Sequence, residues 1–270
     1  MKDLSEKEVI LVTVLFAEFI LLFNYSSKFW LTFILMIATL AYGMINILNL
    51  KSKEKIIRGI HFFALPIFYF LGVFFFLSLI KVRVLQILAI TLYSISNVFL
   101  LRSIRRIKRS RENPLIVSRN IISLIGLITI FFVETDIVNA VILFKLPIYL
   151  GMVVIFASVW VISYFLYWQY RDIETDSTIF ITLISFVMVE IFWAGSFWIT
   201  SYPTFEAGTL GVSVISIIST VVYYCFWGIA HYKLENGLTK NILIEYIMIS
   251  LLILSIIFFT ANWLPIGFSG

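Results

Sequence analysis

Three glutamates stand in stretches otherwise suited only to lipid: Glu18 closes VLFAE, Glu134 closes IFFVE and Glu190 closes FVMVE. A carboxylate at the centre of a bilayer costs about 2.5–3.5 kcal/mol, against a few tenths gained per leucine or phenylalanine. All three, ionised and facing lipid, would cost about 8–10 kcal/mol. Each is therefore expected to face a bundle interior or a watery cavity, or to stay protonated. At 1.5 Å per residue they lie about 14, 20 and 18 Å from the inner starts of their helices, in the middle part of a slab about 30 Å thick.

A buried carboxyl with no cation at its depth can take up and release protons, the chemistry of a proton relay. Glu190 leads this set of candidate proton- or substrate-binding residues, supported by Glu134 and Glu18, with Trp193 on the same helical face one turn on. Lys28 and Lys145, at outer helix ends, reach such depths only by snorkelling. The competing expectation is a neutral carboxyl bonded to Tyr42, Asn46, Asn97, Tyr223 or Tyr224 of a neighbouring span, which would fix helix packing.

A second chemical feature is the basic segment RSIRRIKRSRENP at 102–114, with Arg102, Arg105, Arg106, Lys108, Arg109 and Arg111. Such a run anchors to anionic lipid headgroups at about 1 kcal/mol per residue, or docks a partner protein. No aromatic residue interleaves with its arginines, so no nucleic acid is expected. Alternate carboxylates at Asp172, Glu174 and Asp176 read as a solvated loop, and His61 and His231 lack zinc-ligand spacing. No metal site and no cofactor are expected. One cysteine, Cys225, excludes an internal disulfide.

The elements that position these residues follow from composition. Of 270 residues 61% are hydrophobic and 13% charged, far from the average of a soluble domain. The apolar residues fall in blocks of helix-spanning length with short polar connectors, so the chain reads as an all-α, polytopic membrane bundle and as one transmembrane domain over 1–270. Spans are predicted at about 9–25, 29–49, 57–80, 84–101, 120–144, 147–169, 178–200, 209–230 and 242–264. That is nine, or eight if the stretch from 120 to 150, with Glu134 and Asp136, folds partly as an external turn. The N-terminal block runs on too far for a cleaved signal peptide and reads as the first span.

Orientation follows from the 20 Lys and Arg: only Lys28, Lys81, Arg83 and Lys145 fall on one side, which places the N-terminus in the cytoplasm. The short connectors suggest helical hairpins over 9–49, 57–101, 120–169 and 178–230, followed by a last span at 242–264. The recurring apolar run before Glu18, Glu134 and Glu190 suggests a repeated hairpin.

Three functions are compatible with this reading. The first is proton-linked transport of a small solute or cation in the cytoplasmic membrane. The second is a non-catalytic scaffold or assembly subunit that binds a protein partner or its own copy. The third, a lipid-modifying enzyme using a buried acid, lacks a nucleophile at motif spacing. Richness in Ile, Phe and Lys suggests an AT-rich prokaryotic genome.

Overall fold

The computed structural model describes residues 6–24, 29–50, 52, 59–80, 82–109, 116–170, 175–199, 201–202, 212–261 and 264–265. Among them are nine helices: α1 (Glu6–Asn24), α2 (Phe29–Ile47), α3 (His61–Leu79), α4 (Arg83–Arg109), α5 (Ile116–Leu143), α6 (Ile148–Trp168), α7 (Thr175–Gly195), α8 (Val214–Leu234) and α9 (Lys240–Thr260). The last eight are long and apolar enough to cross a membrane. The chain is a multi-pass helical membrane protein. Two-residue bridges pair Trp198–Ile199 with Leu264–Pro265, and Ser201–Tyr202 with Val212–Ser213.

The ambiguous stretch resolves into one helix that carries both Glu134 and Asp136 up to Leu143, so these residues are helical rather than part of a turn. Three helices stop the same way: Leu50 N–H donates to Ile45, Leu146 to Val141 and Gly237 to Tyr232, each bridging back five residues. Asn49, Lys145 and Asn236 supply the left-handed residue that this C-terminal motif requires, with φ of 53°, 49° and 55°. Asparagine tolerates that conformation and lysine has no such preference. Pro147 then precedes α6, its fixed φ suited to a helix start.

The chain divides into two compact units, Met1–Gly126 and Leu127–Gly270. In the first, α1 packs against α2 and α4, and α3 packs against α4. Its centre is aromatic: the Phe19 ring lies 5.8 Å from Phe70 and 5.4 Å from Tyr93, and Phe33 lies 4.6 Å from Phe74. Pairs at these separations add to the stabilisation from burial itself.

In the second unit α6 packs against α7, α7 against α8 and α8 against α9. Small residues permit the closest approaches. A β-carbon on Gly151 of α6 would meet Phe192 of α7 at 2.8 Å and Val141 of α5 at 3.0 Å, and one on Gly228 of α8 would meet the Tyr246 ring of α9 at 2.0 Å. Ser163 of α6 and Tyr223 of α8 share a buried hydrogen bond at 3.0 Å. Cys225 on α8 is a half-buried free thiol.

Candidate functional site

The three glutamates do not share one environment. Glu18 is 8% exposed on α1 and accepts a hydrogen bond from Thr39 Oγ1 of α2 at 2.9 Å. Its partner is a threonine rather than Tyr42, Asn46 or Asn97. Asn97 instead donates to Tyr93, and Tyr42 is exposed. The bond across α1 and α2 is the packing use of a membrane carboxyl.

Glu190 does not face inward, which leaves the protonated state of the two expectations. It lies on the exposed face of α7, in line with Ile179, Leu183, Phe186, Trp193 and Phe197, all outward-facing. The spacing of four and three residues puts these side chains on one stripe. The buried face of α7 is taken by Ile181, Ile184, Ser185, Met188 and Phe192, which turns position 190 away from the packing. Its depth differs too. Because α7 ends at Gly195 rather than near Thr200, Glu190 stands five residues, about 7 Å, from the helix terminus. Trp193 shares the outward face, 50% exposed, and stacks edge-on with Phe197.

Glu134 is the deeply placed acid of the second unit. It is 2% exposed, and neither carboxylate oxygen has a hydrogen-bond partner. Ser219 of α8, 1% exposed, approaches it without closing a hydrogen bond of good geometry. Ser213, Ser216 and Ser219 recur every third residue, so they follow one side of α8 at its N-terminal end, and all three hydroxyls are buried without a partner. Asp136 and Asn139, three residues apart, occupy a different side of α5 from Glu134. Both Asp136 oxygens and the Asn139 amide nitrogen are likewise buried and unpartnered.

Buried polar groups are ordinarily hydrogen-bonded, and each unsatisfied one costs about 1–3 kcal/mol. Their concentration on α5 and the start of α8 therefore marks a place that stability alone does not explain. No Lys, Arg or His among the described residues forms an ion pair with Glu134 or Asp136. The orphaned oxygens are carboxyl and hydroxyl, the ligand types of hard cations and of protons, whereas the Asn139 nitrogen can only donate a hydrogen bond. Asn139, Ser216 and Ser219 were not singled out by sequence, and Asp136 was named only with the ambiguous stretch. Serine at every third position of an apolar helix was the available signal.

The basic segment is partly spent on internal structure. Arg105 Nε lies 3.0 Å from Glu8 Oε1, and Glu8 is fully buried. Lys108 Nζ donates to the Leu48 carbonyl just past α2, where a cation suits the end of a helix. Arg102 and Arg106 are half-buried. The Arg109 side chain, Arg111, Asp172 and Glu174 lie outside the described residues. His231 engages Tyr170 through Nδ1 and approaches Glu235 at 3.6 Å through Nε2, a network at the end of α8. Among the described residues no group of three or more His, Cys, Asp and Glu is placed to hold a metal.

Compared with models of known protein families, with curated proteins and with solved structures, the chain has no match.

Proposed function

We propose that the second unit holds a binding site for a proton or small hard cation centred on Glu134, and that the protein moves this species, or a solute linked to it, across a prokaryotic cytoplasmic membrane. The observation that carries the reading is a fully buried carboxyl with both oxygens unpartnered beside the orphan hydroxyl of Ser219. A bound cation or proton would satisfy those atoms. The charge asymmetry of the connectors supports an N-terminus in the cytoplasm. Glu18, bonded to Thr39, serves packing in this reading, and Glu190 is not part of the pathway.

The test is a thermal-shift series on purified protein with Li⁺, Na⁺, K⁺ and small amines from pH 5 to 9, paired with proton flux in liposomes. Ligand binding to the folded state raises the melting temperature by mass action. The parent should respond to at least one ion or to pH, and Glu134→Gln should lose that response and the flux. If Glu134→Gln keeps both, the proposal fails.

An assembly role is the second reading, favoured by the exposed carboxyl of Glu190, for which the chain itself offers no partner among the described residues. Anionic headgroups at Arg102 and Arg106 are compatible with either.

A further inference from the structure

We infer that the outward face of α7 is a self-association surface, on which Glu190 of one copy pairs with Lys145 of a second copy. Lipid accounts for outward Ile179, Leu183 and Phe186, but it does not account for a carboxyl on the same stripe. A second protein that covers and neutralises it would account for an exposed carboxyl in the spanning part of a helix.

Among the described residues of the second unit, Lys145 is the cation predicted on the same side of the membrane as the end of α7 nearest Glu190. Lys145 is exposed, forms no ion pair or hydrogen bond among the described residues, and sits in the turn between α5 and α6. Around it Leu143, Phe144, Leu146 and Tyr149 are exposed as well, an apolar collar around a single amine. Gly151 lies beside the Phe192 ring tip and the Val141 side chain. Lys145 lies four residues beyond Val141, past the end of α5, and Glu190 lies two residues before Phe192, inside α7, so the amine starts nearer the outer face than the carboxyl. A lysine stem snorkelling inward and a glutamate arm reaching outward lessen that difference.

The backbone supplies a separate argument. Lys145 occupies the left-handed position at φ 49°, where the equivalent turns of this chain use Asn49 and Asn236. Glycine or asparagine fits that conformation better. A lysine held there against backbone preference points to a use for its amine. Two copies related by a two-fold axis along the membrane normal form the pair twice, a closed arrangement that leaves neither charge over.

The experiment co-expresses two differently tagged full-length copies, purifies through one tag in lipid nanodiscs, measures the second tag and weighs the particle by native mass spectrometry. The parent should be recovered as a dimer carrying both tags. Glu190→Lys alone and Lys145→Glu alone should each lower two-tag recovery at least tenfold. Co-expressing those two variants, one per tag, should restore it, since every pair then joins opposite charges. Lys145→Gly relieves the turn and keeps the fold, and should lose the second tag while retaining the parent's melting behaviour. A monomeric parent overturns the inference, as does a particle whose added mass is a different protein. Restoration by the double variant in one chain but not by the two single variants together would mean an internal pair, and would overturn it equally.

Discussion

Thr39 of α2 donates its hydroxyl to Glu18 of α1 at 2.9 Å, while Glu18 Oε2 stays buried without a partner. Thr39→Val strips the one bond this carboxyl has and should lower stability by about 1–3 kcal/mol. Thr39→Ser should keep most of it. Denaturation of the purified protein in one detergent, followed by tryptophan fluorescence, separates the two.

Arg105 and Glu8 form a pair whose acid is fully buried. Removing one partner of such a pair costs about 3–5 kcal/mol, because the other charge is left stranded. Arg105→Ser should therefore destabilise strongly, whereas the double change Arg105→Ser with Glu8→Gln should cost less than the single effects added together. Arg102→Ser and Arg106→Ser should fall within about 1 kcal/mol of the parent. The same measurement decides. Loss of partner binding on changing Arg105 would thus report damage to the first unit, not the loss of a docking charge.

Gly228 has no room for a side chain beside Tyr246. Gly228→Leu should cost about 1–3 kcal/mol by overpacking. Tyr246→Ala in the same chain should recover part of that loss, read as melting temperature. Equal melting of parent and Gly228→Leu would mean that α8 and α9 are free to separate.

Ser219 belongs to the Glu134 site, and Ser250 is a buried hydroxyl on α9. In the thermal-shift titration, Ser219→Ala should weaken the stabilising ion about tenfold, equivalent to about 1.4 kcal/mol. Ser250→Ala should leave that midpoint in place. Equal midpoints for parent and Ser219→Ala would detach this hydroxyl from the site.

The helices were legible because lipid demands long apolar runs, and the nine among the described residues lie close to where hydropathy puts them. The inward turn of Glu18 and Glu134 was also legible from the cost of charge in hydrocarbon. That cost left Glu190 open between an inward position and a protonated state, because it states only that the charge must be avoided or covered and not whether the cover comes from the same chain. Thr39 was missed as the Glu18 partner because tyrosines and asparagines drew the eye over a small hydroxyl one turn away. The buried Glu8 was missed because an acid in the first turn of a helix reads as solvated. Burial of Glu18 and Glu134 against exposure of Glu190 also separates three positions that the recurring motif had suggested were equivalent.

Cys225 is the chain's single cysteine, half-buried on α8 beside Tyr224, whose ring lies 5.1 Å from Tyr246. A maleimide or nitroxide label thus attaches at one known position of the unaltered chain, on the helix that also carries Ser216 and Ser219. Its rate of modification in lipid reports how open that side of α8 is, and a change in rate on ion binding would place the change on the helix that carries Ser219.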